Sequence, residues 1–140
     1  MKTKFNKNWK ASKQPRKQRK YLATAPLHIK RKLLATNLSK ELRKKYGRRN
    51  IELRKGDLVK ILRGKFKKKQ GKVIRIKTKS LKVYIENIQV KKREGSKIDV
   101  PVKASNLQII ELNAEDKKRL KLKKEETKKE ISKKIGAEKK

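Results

Sequence analysis

The chain of 140 residues carries 48 Lys and Arg against 13 Asp and Glu, which gives a net charge of +35 at pH 7, and only 33% of its residues are hydrophobic. These values allow one small core with basic extensions, and they indicate a polyanionic partner because so cationic a chain repels itself. With no Cys, one His and no apolar run of membrane-spanning length, the sequence predicts no metal site, no cofactor, no membrane insertion and a cytosolic location.

Charge divides the chain into three segments. Residues 1–50 hold 18 basic residues and one acidic residue, residues 51–112 hold 18 and six, and residues 113–140 hold 12 and six. Strand-like apolar patterns occur only in the middle segment. The sequence therefore predicts one mainly β domain over residues 51–112, between a basic N-terminal extension with short helices (1–50) and a charged C-terminal segment (113–140).

The N-terminal extension has few apolar residues. Phe5 and Trp9 lie among lysines, and residues 1–20 have too little apolar content to order themselves, so the two rings either stack on unpaired bases or pack on the chain's own helices. A first short helix is predicted to begin at Pro26. A second is predicted between Ser39, a suitable N-cap, and Gly47, a suitable C-terminal stop.

The middle segment reads as consecutive short strands. Apolar runs at 58–62 and 73–76 flank a lysine-rich loop that is bounded by glycines, and further strands are predicted at the ranges 81–86, 88–90, 98–102 and 107–110. Pro101 places its strand at an edge or in a protruding ribbon, because proline cannot donate to a central ladder. With no crossover helix between the strands, we expect an antiparallel sheet that closes into a small barrel.

The C-terminal segment begins with a helix signal. Asn113 is a suitable N-cap, and Glu115 and Asp116 lie in the first turn, where negative charge is favoured. Beyond Leu122 no apolar face remains. Residues 127–140 are therefore expected to be a fraying helix or a disordered tail.

The strand-loop-strand stretch carries a recognisable pattern. KGDLV at residues 55–59, RG at 63–64 and GKV at 71–73 resemble the KOW motif of ribosomal proteins and transcription factors. The sequence differs from many KOW loops at Lys68, where those loops carry a glycine.

The segments around this motif make the resemblance more specific. Residues 26–32, 38–46 and 51–57 are similar to the N-terminal extension of the large-subunit ribosomal protein family numbered twenty-four in archaea and twenty-six in eukaryotes, and the likeness covers residues 10–125. It implies an SH3-like barrel that binds the 5′ region of large-subunit ribosomal RNA, supports early subunit assembly and lies beside the exit of the peptide tunnel.

The resemblance also implies partners. These are large-subunit ribosomal RNA, neighbouring large-subunit ribosomal proteins, and nascent-chain or targeting factors at the tunnel exit, and no homo-oligomer is expected. In the family a hairpin of the barrel reaches toward the tunnel mouth. The segment matched to it comprises Arg93, Glu94, Gly95, Ser96 and Lys97.

Basic side chains of the extension and of the loop are the candidate RNA contacts, because each phosphate they neutralise releases condensed counterions. Lysine binds phosphate as a point charge, whereas arginine can also form a fork on phosphate or stack on a base. The predicted RNA-binding residues are Trp9, Arg16, Lys17, Arg19, Lys20, His28, Lys30, Arg31, Lys32, Arg43, Arg48, Arg49, Arg54, Arg63, Lys65, Lys67, Lys68, Lys69 and Lys72.

Other functions fit the sequence less well. A KOW-type transcription elongation factor would be expected to carry a further α/β domain and a more balanced surface, and nonspecific nucleic-acid binding accounts for the charge alone. An enzyme acting on RNA would need paired carboxylates, a metal cluster or an activated nucleophile. The six acidic residues of the middle segment form no such motif, so no catalytic residue is predicted.

Overall fold

A computed structural model of the chain describes residues 5–113 and Arg119. Within this part there are three α-helices and nine strands: α1 (Pro15–Thr24), α2 (Leu27–Leu33), β1 (Ala35–Leu38), α3 (Lys40–Tyr46), β2 (Asn50–Glu52), β3 (Leu58–Ile61), β4 (Gln70–Lys77), β5 (Lys82–Ile85), β6 (Gln89–Lys91), β7 (Lys97–Asp99), β8 (Val102–Lys103) and β9 (Leu107–Glu111). Two 3-10 helices lie at Lys7–Ala11 and Ala104–Asn106.

The strands form one curled sheet and one ribbon. The sheet has the order β2-β1-β9-β3-β4-β5-β8, and β6 pairs only with β7. Strand β3 pairs with both β4 and β9, which joins the two ends of the predicted barrel segment. The mainly β, barrel-like fold predicted from the apolar runs is confirmed. The single strand predicted over 98–102 is instead two strands on either side of Pro101, with β7 in the ribbon and β8 at the edge of the sheet.

The sheet differs from the prediction at the end nearest the N-terminus. Strand β1 lies parallel to β9, with Asn37 opposite Gln108 and Leu38 opposite Ile109, and it pairs in the antiparallel sense with β2. The strands of the predicted barrel segment pair with one another in the antiparallel sense, as expected, and the parallel pair involves β1 of the extension, where no strand is predicted. The added strand occupies the edge of β9, whose backbone groups would otherwise be unpaired. Strand β1, which precedes residue 50, shares one sheet with the strands that follow it. The domain boundary between residues 50 and 51 stays a prediction.

The core lies inside the curl of the sheet. Most of its buried side chains come from alternate positions of the strands, since successive side chains point to opposite faces, and Leu34, Leu53, Ile88 and Ala104 come from the segments between them. Its members are Leu34, Leu38, Ile51, Leu53, Val59, Ile61, Val73, Val83, Ile85, Ile88, Ala104, Leu107 and Ile109. Leu34 and Leu38 lie in the extension, and Ile51 is the first residue of the predicted barrel segment, 51–112. The extension therefore contributes part of the core.

Helix α2 begins, and helix α3 both begins and ends, where the sequence predicts. Helix α2 follows Pro26. Helix α3 is capped by the Ser39 side chain, which accepts a hydrogen bond from the backbone N–H of Leu42 at 3.3 Å, and it ends at Gly47 in the left-handed conformation. The predicted helix and tail after Asn113 lie outside the described residues, apart from Arg119.

Candidate nucleic-acid interface

The lysine-rich loop between β3 and β4 is fixed by its own backbone. The N–H of Lys68 donates to the carbonyl of Ile61 at 2.8 Å, and the N–H of Ile61 donates to the carbonyl of Lys69 at 2.9 Å. Phe66 packs against the core, and the Nζ atom of Lys69 lies 5.5 Å from its ring centroid. The loop aromatic therefore anchors the loop to the barrel.

The basic side chains of this loop point to solvent. The exposed members are Lys65, Lys67, Lys68 and Lys69, with Lys72 on β4 and Arg63 before the loop. Since the backbone beneath them is hydrogen-bonded, the cations are displayed on a fixed support, which lowers the entropy cost of binding several phosphates at once. The structure thus brings together the loop residues predicted from the sequence.

Lys68 occupies an unusual backbone conformation. Its φ is 74°, in the left-handed region that L residues adopt at a cost and glycine adopts freely. This is the position at which many KOW loops carry a glycine. The turn is therefore kept even though the residue differs.

Gly71, at the start of β4, is required by a close approach. A Cβ atom at this position would lie 2.7 Å from the carbonyl oxygen of Glu86 and 2.8 Å from a methyl carbon of Ile85. Both distances are shorter than van der Waals contact. The motif glycine therefore allows the start of β4 to lie close against the end of β5, its neighbour in the sheet.

The segment of residues 5–25, called here the N-terminal arm, is ordered by a polar clamp. The side-chain amide of Gln18 donates to the carbonyls of Ser12 at 2.5 Å and Lys10 at 3.2 Å, with a longer contact of 3.4 Å to that of Trp9. These bonds hold the 3-10 helix against α1. The expectation that residues 1–20 cannot order themselves is wrong for residues 7–20, because polar bonds supply what apolar burial does not.

The aromatic residues of the N-terminal arm pack on the arm itself. The Phe5 ring lies 5.1 Å from that of Tyr21, which is buried. The Nζ atom of Lys20 lies 5.1 Å from the Trp9 ring centroid, close enough for a cation–π interaction. Of the two readings left open for these rings, packing on the chain's own helices describes the structure, and base stacking by Trp9 stays a prediction.

The other predicted contacts of the extension differ in exposure. The exposed side chains are those of Arg16, Lys17, Arg19, Lys20, His28, Arg31, Lys32, Arg49 and Arg54. Lys30 donates to the carbonyl of Ala23 at 3.2 Å, and the Nε of half-buried Arg43 donates to the carbonyl of Leu38 at 2.9 Å. Arg43 therefore has a structural role beside any contact with RNA.

Asp57, the acidic residue of the KOW motif, is the centre of a buried network. Its carboxylate accepts the backbone N–H of Arg54 at 2.8 Å and that of Asn113 at 3.1 Å. Both Nη atoms of Arg119 donate to it at 2.7 Å, and Arg119 Nη2 also donates to the carbonyl of Glu52 at 2.6 Å. An aspartate directly after a glycine is typical of a turn in which its carboxylate accepts local backbone N–H groups, but nothing in the sequence indicates the bonds to Asn113 and Arg119.

The ion pair with Arg119 could not be anticipated from spacing, because 62 residues separate the partners. Both side chains are buried, with 4% of Arg119 and 0% of Asp57 exposed. In the part of the chain that the structure describes, the second ion pair joins Lys92 and Glu94. Asp57 thus connects the start of the barrel, its last strand and the segment that follows.

An open cleft of about 470 Å³ lies where the extension meets the barrel. Its lining residues are Lys32, Ala35, Arg48, Asn50, Ile51, Glu52, Arg54 and Arg119. Three of the predicted RNA-binding residues, Lys32, Arg48 and Arg54, are brought together here. The sequence gives no signal for this, because the residues come from different elements.

The ribbon formed by β6 and β7 carries the segment matched to the tunnel-exit hairpin. Val90 lies opposite Ile98, and both are nearly half exposed, at 44% and 46%. At the tip the N–H of Lys92 donates to the carbonyl of Ser96 at 2.8 Å, and Gly95 has a φ of 92°. The predicted hairpin at residues 93–96 is therefore present, and it displays an apolar pair between charged ends.

Glu94 at the ribbon tip has a perturbed acidity. The pKa of its carboxyl is lowered from 4.5 by hydrogen bonds from Lys92 first and Ser96 second, because both favour the charged form. A carboxyl whose pKa is lowered on folding stabilises the folded ribbon above its unfolded pKa, and this contribution is lost as the pH falls through the lowered pKa.

Metal and membrane sites are not found among the described residues. No group of three His, Asp or Glu side chains within residues 5–113 and 119 could hold a metal ion. No helix in the same part of the chain is long and apolar enough to cross a membrane.

A curled basic sheet with a fixed lysine loop and a cationic helical arm defines a KOW-type barrel protein suited to a polyanion. Comparison with protein families makes the assignment specific, since the family of eukaryotic ribosomal proteins L26 and their archaeal counterparts, numbered twenty-four, matches residues 12–125. The chain belongs to this family of large-subunit ribosomal proteins. This agrees with the family proposed from the KOW motif and its flanking segments, and as a member the chain is a constituent of the large ribosomal subunit.

Proposed function

We propose that this protein binds the 5′ region of large-subunit ribosomal RNA, supports early assembly of the subunit and acts there as a structural component of cytoplasmic ribosomes, not as an enzyme. The observation that carries the proposal is the fixed loop between β3 and β4, whose lysines are all exposed while its aromatic residue is packed on the core. Such a loop presents cations without needing to refold.

The distribution of charge supports contact along an extended path of RNA. The first 24 residues contain nine lysines and arginines and no acidic residue, and the described basic side chains of α1 are exposed. Phosphate contacts position a protein on RNA, and each adds to the salt dependence of binding. The N-terminal arm and the loop would therefore hold separate stretches of the backbone.

We also propose a position beside the exit of the peptide tunnel, which the ribbon formed by β6 and β7 supports. Its Val90 and Ile98 side chains offer an apolar surface on a protruding element, and its segment 93–97 would face the exit. Neighbouring ribosomal proteins are the expected permanent partners. Nascent chains or targeting factors would contact the ribbon transiently.

Removal of the N-terminal arm tests the RNA-binding role. A chain lacking residues 1–24 keeps Leu34 and Leu38, which belong to the core, so it should fold. We expect its affinity for a 5′-region fragment of large-subunit ribosomal RNA to fall, with a smaller dependence on salt, because nine positive charges are lost.

A loop variant gives the matched comparison. Replacing Lys65, Lys67 and Lys69 by Gln removes three charges and should reduce the salt slope by up to about three units with an unchanged melting temperature. Equal affinity and equal salt slope for wild type, the truncated chain and the loop variant would contradict the proposal.

A further inference from the structure

We propose that the cleft between α2, β1 and β2 binds one unpaired nucleotide of the RNA, with its phosphate at the basic rim and its base inside. The inference rests on the proposed function, since it names the part of the RNA that this site would take. It concerns residues distant in sequence from the lysine loop, which binds phosphates alone.

The size of the cleft fits a nucleotide. Its volume is about 470 Å³, within the range of about 300–1,000 Å³ that is typical of small-molecule sites. A lone phosphate would fill only a small part of this space. A base with its ribose and phosphate would use both the rim and the interior.

The rim favours an anion. Lys32 is exposed and Arg48 is half-buried, and neither forms an ion pair with a described residue. The charge of Arg119 is already balanced by Asp57, which does not line the cleft. The acidic side chain of the lining is that of Glu52. The arginine fork suits a phosphate and can also stack on a base.

The interior offers a surface for a base. Ala35 is half-buried and lies opposite Glu52 in the β1–β2 pair, so its methyl group supplies apolar contact for a ring face beside that carboxylate, whereas the Ile51 side chain belongs to the core. Asn50 and Glu52 line the same cleft. A carboxylate only accepts hydrogen bonds, so Glu52 favours guanine, whose adjacent N1–H and N2–H groups are both donors.

Arg119 at the wall of the cleft has one unused donor. Its Nη atoms bind Asp57 and the Glu52 carbonyl, but its buried Nε has no acceptor among the described residues. Buried donors are nearly always satisfied in native proteins. Because this Nε atom is buried, an acceptor oxygen of a nucleotide would reach it only if the wall of the cleft opened.

The test is a titration of the full-length, ¹⁵N-labelled chain with GMP, UMP, ribose 5-phosphate and inorganic phosphate at constant ionic strength. We expect GMP to shift the amide signals of residues 48–54 and to bind at least about fivefold more tightly than ribose 5-phosphate, because the base adds contacts in the interior. Equal binding of GMP and ribose 5-phosphate, or shifts confined to residues 65–72, would overturn the proposal.

Three variants separate the cleft from general attraction. Ala35→Met fills the interior without a change of charge, Arg48→Gln removes one rim cation, and Lys79→Gln removes one exposed cation from the turn between β4 and β5. The first two should weaken GMP binding about tenfold, whereas Lys79→Gln should change it less than about twofold. Equal losses in Arg48→Gln and Lys79→Gln would show that charge alone is responsible and that the cleft is not the site.

A parallel measurement with the ribosomal RNA fragment keeps the two proposals apart. If GMP fails to bind while the RNA fragment binds in a salt-dependent manner, the nucleotide cleft is wrong and the RNA-binding function stands. If the RNA fragment also fails to bind, the proposed function is wrong as well.

Discussion

The barrel and the N-terminal arm carry charge of the same sign but are held together by different interactions. The barrel surrounds a continuous apolar core to which strands β1 to β5 and β9 contribute. The N-terminal arm buries Tyr21 and Ala25, neither of which belongs to that core, and depends on the amide of Gln18 and on ring contacts. One region is stabilised by burial and the other by a few polar bonds.

Because of this difference, the barrel should be stable under all conditions tested, whereas the stability of the arm should depend on salt and on bound anions. Apolar burial is little affected by salt or by anions, whereas a helix of ten residues such as α1 is marginal alone in water. Repulsion among the unopposed cations of the arm weakens it further. A polyanion would remove this repulsion, so the arm should become more stable on binding while the barrel changes little.

The largest effect expected in the barrel follows from loss of the buried carboxylate. Asp57→Asn leaves Arg119 buried without its counter-ion and weakens the bonds to two backbone N–H groups. We expect a loss of about 3–5 kcal/mol of unfolding free energy, measured by chemical denaturation.

Asp99→Asn is the control for this change, because Asp99 accepts a hydrogen bond from Gln89 in an exposed setting. It should cost less than about 1 kcal/mol. A similar small cost for Asp57→Asn would mean that the buried network does not hold the barrel together.

A core substitution compares the two regions directly. Leu38→Ala removes a fully buried side chain of β1 and should cost about 2–5 kcal/mol in denaturation. Leu22→Ala in α1, where 38% of the side chain is exposed, should cost less than about 0.5 kcal/mol. Comparable losses would show that the arm and the barrel unfold as one unit.

The polar clamp of the arm should have a local effect. Gln18→Ala removes the donor to three carbonyls and should destabilise the arm by about 1–2 kcal/mol, seen as faster hydrogen exchange in α1 with no change in the barrel amides. Gln14→Ala serves as the control because that side chain makes no capping bond. Slower hydrogen exchange of the α1 amides of Gln18→Ala on addition of RNA would show that the polyanion restores the order of the arm.

The smallest effect concerns the loop backbone. Lys68→Gly places a glycine at a φ of 74° and should stabilise the protein by up to about 1 kcal/mol, since the strain of the left-handed conformation exceeds the entropy cost of glycine. Lys67→Gly removes the same charge at a position without positive φ and should destabilise it by about 0.5–1 kcal/mol. Melting curves that shift in the same direction for both variants would contradict this account.

Local signals in the sequence predict much of the barrel. The alternation at 58–62, the proline at 101 and the cap at Ser39 each specify a strand, a break or a helix end through contacts with near neighbours. The loop lysines were also predictable, because a lysine-rich segment between two glycines has no apolar side chain to bury except Phe66.

The features that sequence reasoning missed depend on distant or polar partners. The pairing of Asn37 with Gln108 and the bond between Asp57 and Arg119 join residues far apart in the chain, and no periodicity encodes them. The order of residues 7–20 depends on one glutamine that reaches three carbonyls, which a count of apolar residues cannot reveal. The cleft likewise needs the fold to bring Lys32 beside Arg48.

The parallel pairing of β1 with β9 also has a consequence for the time course of folding. Gln108 and the Leu38 carbonyl that it contacts are 70 residues apart, so the sheet cannot be completed until nearly the whole barrel segment has been synthesised. Contacts of such long range slow folding. Helix α1 leaves the translating ribosome well before β9, the parallel partner of β1, has been made, so the basic arm of a newly made chain is accessible to a polyanion while its barrel is still unfinished.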